Sequence, residues 1–367
     1  MATAKLTLST SRSKAECRPV RRAIFWGSRT NGVTGQSIIS DHVLEGLGDI
    51  SWIDLRYSIG GLRSFFSVIA RTFSAYYAAS FGRTDFIYIV CSRSTFGFLR
   101  DFPILMLSLF GKKTIIHVHG SDILDLLKRR FIGVLARSLY QRCAIIIPSA
   151  HLDRALRQLG CTSVHVVENF ATDLDHSVDA APLPAHTPAI LWNSNIMASK
   201  GIMELVKGAE LARRRGADLH LTIIGKMIPD RDATQDQLER FIASLANKPW
   251  ITVLGPVPHR RAIELLRQAD IVALPSRYAS ECQPLAIIQA MCLAKSVIVA
   301  DTPALKATIG TYPAIVTTPD PSSLADAIEV CLTQADTLQI SQAQAAPKAI
   351  ERFSIKKFDK SMSAIFS

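Results

Sequence analysis

The chain has 367 residues, 48% of them hydrophobic and 20% charged, a composition that excludes a disordered or fibrous protein and provides enough chain for two domains. The formal net charge is +11, concentrated in residues 1–180, where 22 Lys and Arg accompany 14 Asp and Glu; it indicates either an anionic partner or simply a basic surface. The richest apolar run, residues 102–110, has nine residues and is too short to span a bilayer, which takes about 18.

The first domain is predicted from residue 20 onward. Residues 1–19 are rich in Ser, Thr and basic side chains and lack the apolar core of a secretory signal, so we interpret them as a disordered leader rather than a transit peptide. Residues 23–26 predict a first strand, which a glycine-containing loop and a helix follow. Further strands are predicted at residues 86–91, 113–118, 143–147 and 164–167. Runs that are apolar throughout are typical of a parallel sheet covered on both faces.

A second series of strands and helices follows residues 171–187, which lack periodicity and are interpreted as an interdomain linker. Its strands are predicted at 188–193, 219–224, 250–254, 271–274 and 296–300, and its helices at 200–215, 234–246, 259–268, 284–293 and 322–333. The sequence thus predicts an N-terminal domain over residues 20–180, a C-terminal domain over 181–345 and a closing helix over 346–367. Two doubly wound α/β domains form a cleft at the carboxyl ends of their strands, where such folds bind ligands.

Cysteine usage and acidic pairs give no sign of a metal site. The seven cysteines are scattered without a C-x-x-C pair, which is typical of buried thiols in a reducing cytoplasm, without disulfides or structural zinc. Asp173-Leu-Asp175 and Asp230-Arg-Asp232 have the Asp-x-Asp spacing of some metal sites. Neither pair directly follows an apolar strand, so we predict no metal at either.

The strongest motif lies between two predicted strands. Leu274-Pro-Ser closes one strand, and Glu281-Cys-Gln-Pro284-Leu opens a helix that carries Gln289 eight residues after Glu281. The free N–H groups at a helix start favour an anion. A carboxylate beside them can accept hydrogen bonds from hydroxyl groups, and an amide can both donate and accept hydrogen bonds.

A second motif, Ser194-Asn195-Ile-Met-Ala-Ser-Lys200-Gly201, connects a predicted strand to the next helix, and the strand after that helix ends at Gly225. A lysine at a helix start opposes the helix dipole. Its presence there indicates an anion bound nearby.

The first half carries two weaker motifs. His117-Val-His119-Gly ends one strand and opens a helix, and strand alternation points His117 inward. The loop after the first strand carries two glycines, the second being Gly35, followed by Gln36. A lone Gly-x-x-Gly pattern is weak, but its position after the first strand strengthens it.

Together these four motifs resemble the signatures of glycosyltransferase family 4, which has the retaining GT-B fold, over about residues 22–335. The resemblance implies an α/β protein in which two Rossmann-like doubly wound domains face each other across a cleft. It implies catalytic roles for His119, reaching the donor sugar from the opposing domain, for Lys200, neutralising the diphosphate, and for Glu281, contacting the sugar hydroxyls. The donor-binding residues it implies are Gly35, Gln36, Ser194, Asn195, Lys200, Gly225, Cys282, Gln283, Pro284, Leu285 and Gln289.

The sequence departs from the family pattern at two positions. Gln289 stands where the family has a second acidic residue, and Asn195 stands where it has an arginine. These departures leave open a non-catalytic nucleotide-sugar-binding partner subunit of the same fold. An epimerase or phosphorylase sharing the fold and a nucleic-acid-binding protein are further alternatives, but no phosphorylase signature or nucleic-acid-binding module supports them.

The activity implied by the resemblance is that of a retaining hexosyltransferase. It moves a sugar from a nucleotide-diphosphate sugar to a hydroxyl in cell-surface polysaccharide or glycolipid assembly. We expect no cofactor and no metal. The expected partners are the nucleotide sugar, a sugar or lipid-linked sugar acceptor and an anionic membrane surface, with no nucleic acid. The expected location is the cytoplasm, peripherally at the inner face of the cytoplasmic membrane.

Two predicted helices of the basic half suit a membrane surface. Residues 62–77 place apolar side chains on one face, flanked by Arg63 and Arg71: Leu62, Phe65, Phe66, Ile69, Phe73, Tyr76 and Tyr77. Residues 126–142 carry five basic residues and no acid between them: Lys128, Arg129, Arg130, Arg137 and Arg142. The alternative is an ordinary buried face with a solvated basic side.

Overall fold

A computed structural model describes residues 21–29, 35–47, 50–58, 61–82, 84–172, 174 and 187–367, with the backbone alone for residues 46, 58 and 61–65. The predicted leader 1–19 and most of the predicted linker 171–187 lie outside these residues. The described strands are β1 (Arg21–Trp26), β2 (Ser28–Arg29), β3 (Ile50–Asp54), β4 (Tyr57–Ser58), β5 (Phe86–Val90), β6 (Lys113–His117), β7 (Ala144–Ile147), β8 (Val164–Val166), β9 (Ala189–Asn193), β10 (His220–Ile224), β11 (Ile251–Gly255), β12 (Ile271–Leu274), β13 (Ser296–Ala300) and β14 (Ile315–Thr317).

The helices alternate with these strands. They are α1 (Gly35–Gly46), α2 (Gly61–Phe81), α3 (Thr95–Leu105), α4 (Ile123–Lys128), α5 (Ile132–Tyr140), α6 (Asp153–Gln158), α7 (Ile202–Arg214), α8 (Gln235–Leu245), α9 (His259–Gln268), α10 (Leu285–Cys292), α11 (Pro303–Ile309), α12 (Pro321–Thr333), α13 (Ala335–Arg352) and α14 (Ile355–Phe366). Short 3-10 turns occur at Met106–Phe110, Ala150–Leu152 and Ala198–Lys200.

Each domain is built on a six-stranded sheet. The first has the order β3-β1-β5-β6-β7-β8 and the second β11-β10-β9-β12-β13-β14, and every strand pair in them is parallel. The second order is that of a dinucleotide-binding Rossmann fold. In both sheets the order reverses beside the domain's first strand, which opens a crevice at the carboxyl edge.

Side chains alternate between two cores across the first sheet. Ile87 and Ile89 of β5 pack under α2 to α6, whereas Phe86 and Tyr88 of the same strand pack under α1 and α14. Burial on both faces explains why this strand is apolar throughout. The predicted two-domain α/β architecture is confirmed.

The predicted strands are present with ends shifted by at most two residues, whereas several short or interrupted elements were not predicted. The pattern gave no signal for β3, β14, α3, α11 or the start of α13. Helix α3 contains Pro103 and a glycine, and both residues weaken a helical pattern.

Two helix predictions need correction. The basic segment 126–142 is not one helix, because Arg129 takes an extended conformation (φ −64°, ψ 143°) that separates α4 from α5. The closing segment 346–367 is likewise not one helix, because α13 ends at Arg352 and α14 begins at Ile355.

The last helix returns to the first domain. Phe358, Met362 and Phe366 of α14 belong to the first domain's core, and the Phe366 ring stacks on Phe86 with centroids 5.0 Å apart. Arg352, at the end of α13, forms an ion pair with Glu168 of the first domain. The chain's end therefore joins the two domains a second time.

Candidate active site

A cavity of about 330 Å³ lies between the carboxyl edges of the two sheets. Gly35, Gln36 and His119 line it from the first domain, and the second domain supplies most of the rest of the wall. All residues that the sequence predicted for the site line this cavity: Gly35, Gln36, His119, Ser194, Asn195, Lys200, Gly225, Glu281, Cys282, Gln283, Pro284, Leu285 and Gln289.

An ion pair forms the centre of the cavity wall. The Lys200 Nζ atom lies 3.1 Å from Oε2 of Glu281, and the two side chains are 12% and 10% exposed. Lys200 also donates to Ser194 Oγ at 3.0 Å, and Ser276 Oγ donates to Glu281 Oε2 at 3.2 Å. The pair is therefore held by a hydroxyl on each side.

Two glycines bring the loops of this pair together. Gly201 has φ +85°, and a Cβ there would lie 2.3 Å from the carbonyl oxygen of Pro275. Gly225 has φ +136°, and a Cβ there would lie 1.9 Å from the carbonyl oxygen of Ser194. Both positions require glycine for conformation and for space. The turn carrying Lys200 can thus approach the end of β12.

The start of α10 faces the cavity. Leu285 and Ala286 line it, and the first backbone N–H groups of an α-helix have no partner within the helix. Gln289, one turn on, is 3% exposed, and its Nε2 atom has no hydrogen-bond partner among the described residues. A buried amide without a partner is costly. Its position on the cavity wall suits a ligand that offers an acceptor atom.

The first domain contributes a pair of buried histidines. The rings of His117 and His119 lie 4.1 Å apart, and His117 Nδ1 pairs with the Tyr88 hydroxyl. Burial lowers the pKa of His117 to about 3. Burial, together with His117 and Arg93, also holds the pKa of His119 well below its usual value. His119 therefore lines the cavity as a neutral imidazole, whose buried Nε2 has no hydrogen-bond partner in the described chain.

Comparisons with known proteins agree with this arrangement. Residues 187–334 match the family model described as "Glycosyl transferases group 1". Residues 187–334 form a group 1 glycosyl transferase domain. Lys200, Glu281 and Gln289 all lie within it.

Two curated relatives extend the comparison. The chain is 23% identical over 288 residues to an alpha-D-kanosaminyltransferase from Streptomyces kanamyceticus, covering 72% of this chain and 73% of that protein. It is 29% identical over 151 residues to a D-inositol 3-phosphate glycosyltransferase from Pseudarthrobacter chlorophenolicus, covering 34% and 35% of the two chains.

Solved structures share the fold of the whole molecule. Sucrose-phosphate synthase from Thermosynechococcus elongatus matches with a TM-score of 0.70 at 15% identity, covering 94% of this chain and 98% of that one. The HepE protein of Anabaena, solved with UDP-glucose, matches with a TM-score of 0.68 at 15% identity and the same coverage. The predicted resemblance to GT-B glycosyltransferases is confirmed.

Two predicted donor-binding side chains face other groups. Gln283 of the glycosyl transferase domain accepts the Asn169 backbone N–H at 2.6 Å and donates to Glu168 at 3.1 Å. Cys282 is 2% exposed and packs in the first domain's core, where burial raises the pKa of its thiol to about 12. Both residues line the cavity, but their side chains contact the first domain and so join the two domains.

The described residues contain no group of three His, Cys, Asp or Glu side chains that could hold a metal ion. Asp230 instead accepts hydrogen bonds from the backbone N–H and the hydroxyl of Ser199, at 2.9 and 2.6 Å, and so braces the turn before Lys200. Asp173 and Asp175 lie outside the described residues.

The cavity residues that the sequence did not predict include Asn169, Lys226 and His259. Lys226 follows Gly225 and is exposed at the cavity, so it brings a second cation beside Asn195. Its position directly after a strand-ending glycine was the available signal. No sequence motif marked Asn169, which lies in the segment after β8, or His259, which begins α9.

Proposed function

We propose that the protein is a retaining hexosyltransferase that moves a sugar from a nucleotide-diphosphate sugar to a hydroxyl acceptor. The bond between the anomeric carbon and the diphosphate oxygen breaks, and a bond to the acceptor oxygen forms. The hydroxyl proton leaves with the released nucleoside diphosphate or passes to solvent. The observation that carries the proposal is the Lys200–Glu281 pair in a cavity lined by both domains.

The charges of the site suit departure of a diphosphate. Lys200 offers a cation to the leaving group, and the N–H groups at the start of α10 offer donors that need no reorganisation. When a diphosphate draws the ammonium away, the Glu281 carboxylate becomes available to the sugar hydroxyls. His119, neutral and lacking a partner at Nε2, supplies a hydrogen bond to the sugar from the opposite wall.

Retention and metal independence are parts of the same proposal. Retention follows from the family resemblance, and the oxocarbenium-like transition state of glycosyl transfer needs a shielded cleft rather than a protein nucleophile. The cations of the site take the place of a divalent metal beside the diphosphate.

The acceptor we propose is a sugar or a lipid-linked sugar in cell-surface polysaccharide or glycolipid assembly, at the inner face of the cytoplasmic membrane. Support comes from the basic first domain and from its exposed apolar helices. No described helix has the length and apolarity needed to cross a bilayer, so attachment would be peripheral.

The test begins with a thermal-shift screen of nucleotide sugars on the full chain, because a ligand that binds the folded state raises the melting temperature. The stabilising donor is then incubated with hydroxyl acceptors, and release of nucleoside diphosphate is followed. The anomeric configuration of the product is read by NMR. Donor binding without hydrolysis or transfer would instead favour a non-catalytic partner subunit, an alternative prompted by Asn195 and Gln289.

A further inference from the structure

We propose that the outer face of the helical layer formed by α2, α3 and α5 docks on an anionic lipid bilayer and sets the mouth of the cleft at the membrane surface. This surface is called the docking face below. Docking itself does not depend on the proposed sugar transfer, but its use in reaching a membrane-borne acceptor rests on that function.

The three helices form one continuous layer on the same side of the first sheet. Tyr76 of α2 donates to the carbonyl oxygen of Pro103 in α3 at 2.7 Å. Arg129, just before α5, donates to the hydroxyl of Thr95 at the start of α3. Their inner faces share one hydrophobic core, while α1 and α14 cover the opposite side of the sheet.

The outer face of this layer is apolar to an unusual degree. Of the 17 large apolar residues that are exposed in the described part of the chain, 12 lie in residues 61–142, and so do all the aromatic ones. Phe96 is 86% exposed, Phe131 78% and Phe73 73%. Soluble monomers rarely leave so many neighbouring aromatic side chains in water, and such patches mark interaction surfaces.

The positive charge of residues 61–142 favours an anionic bilayer as the binding partner of the docking face. Residues 61–142 contain 12 Lys and Arg but only four Asp and Glu, and neither α2 nor α5 contains an acid. Lys128, Arg129 and Arg130 are all exposed, and the Arg130 guanidinium lies over the Phe131 ring at 5.4 Å. Aromatic side chains interleaved with cations suit the headgroup region of an anionic membrane. The nearby exposed acid, Asp125, is outnumbered.

The break between α4 and α5 creates a second strongly exposed part of the docking face, beside Phe96. Because Arg129 is extended, Arg130 and Phe131 project from a loop rather than from a helix flank. Gly133 makes this packing possible, since a Cβ there would lie 2.6 Å from the carbonyl oxygen of Leu127. In an uninterrupted helix, Arg130 and Phe131 would point in different directions around the helix axis.

The docking face is next to the cleft. Helix α3 follows β5 and helix α4 follows β6, so Phe96 and the start of α4 lie at the carboxyl edge of the sheet, where His119 lines the cavity. In sequence, a short turn and helix α4 connect His119 to Arg129. A bilayer on this face therefore lies beside the entrance through which an acceptor would reach the donor.

The experiment is sedimentation of the full chain with vesicles of phosphatidylcholine alone or of phosphatidylcholine with phosphatidylglycerol. We expect binding to the anionic vesicles that weakens as salt rises, because the Debye length shortens. The triple variant K128E/R129E/R130E should lose roughly 100-fold or more in affinity, since each cation near an anionic surface contributes about fivefold. The double variant F96S/F131S should lose a similar factor, because burying each phenylalanine is worth roughly tenfold.

Matched controls lie away from the docking face, on α14 at the opposite side of the first sheet and on α13 of the second domain. K356E/K357E/K360E changes the same number of charges at exposed positions of α14, and I340S changes an exposed apolar residue of α13. Both should bind vesicles as the parent does, and the docking-face variants should keep donor hydrolysis in solution. Equal sedimentation with neutral and anionic vesicles, or equal losses in the control variants, would overturn the proposal. So would a dimer that F96S/F131S abolishes, because the face would then be a protein interface. Vesicle binding by a protein without transferase activity would refute the proposed function but not the docking.

Discussion

Lys200 and Glu281, 81 positions apart in sequence, form an ion pair of 3.1 Å in the interdomain cavity, with their side chains 12% and 10% exposed. The two residues lie in separate connecting segments, so the ion pair does not form within a single helix or strand. They meet because the turn before α7 and the loop before α10 follow β9 and β12, which are neighbours in the second sheet. An ammonium and a carboxylate held this way neutralise each other until an anionic ligand competes for the ammonium.

Glu281→Gln should lower turnover by on the order of 10²-fold, because a neutral amide accepts sugar hydroxyls more weakly than a carboxylate does. Cooperative unfolding should persist, since the side chain faces a cavity. Initial rates with saturating donor measure the effect. Glu264→Gln, on the exposed side of α9, is the control and should keep its rate. Transfer by Glu281→Gln at the parental rate would contradict the assignment of Glu281 to the donor sugar.

Lys200→Gln should weaken binding of a nucleoside diphosphate much more than binding of the nucleoside, because Lys200 provides charge to phosphates. It also leaves the Glu281 carboxylate without its ionic partner, which should lower the free energy of unfolding by about 1–3 kcal/mol. Calorimetric titration with both ligands separates the two effects. Lys207→Gln, at an exposed position of α7, is the control. Equal losses for diphosphate and nucleoside would place the phosphates elsewhere.

Gln289→Glu tests whether the buried amide faces ribose. A carboxylate accepts hydrogen bonds from hydroxyls about twice as strongly as a neutral group does, so donor affinity should stay equal or rise by roughly fivefold. A charge at a position only 3% exposed should also lower the melting temperature of the free protein, and donor should restore it. If the protein is a non-catalytic relative, binding improves without transfer. A large loss of donor affinity would mean that the site is built around the amide.

The buried histidines predict acid sensitivity. The unfolded chain binds a proton at His117 as the pH falls below 6.5, whereas the folded protein resists protonation until about pH 3. Stability is therefore lost as the pH falls through this window, by about 1.4 kcal/mol per pH unit for each such histidine. Urea unfolding between pH 6.5 and 5.5 should have a shallower pH dependence in His117→Gln than in the parent protein. Parallel profiles would contradict the burial argument.

Chelation tests the proposed metal independence. Prolonged EDTA treatment followed by assay in metal-free buffer should leave donor binding and transfer unchanged, because in the proposed mechanism the positive charge beside the diphosphate comes from Lys200 and Lys226, which both line the cavity. Complete loss, reversed by manganese or magnesium, would show that a divalent ion takes part and would require ligands other than the Asp-x-Asp pairs.

The sequence by itself predicted the strand series, because fully apolar runs identify strands covered on both faces of a parallel sheet. It also predicted loops that line the interdomain cavity. In a parallel sheet every strand ends at the same edge, so motifs that follow strands converge there even when they are distant in sequence. This convergence accounts for Lys200 and Glu281, which follow neighbouring strands of the second sheet, whereas the position of His119 opposite them was implied by the family resemblance.

Contacts between elements were decided only by the tertiary structure. The ion pair of Lys200 with Glu281 depends on which strands are neighbours in the second sheet. The hydrogen bond between Gln283 and Asn169 and the return of α14 to the first domain depend on how the two domains approach each other. No local sequence pattern encodes either. The periodicity of α2 was equally consistent with a buried face and with an exposed one. A helical stripe records only that its side chains are apolar, and whether it meets protein or lipid depends on what packs beside it.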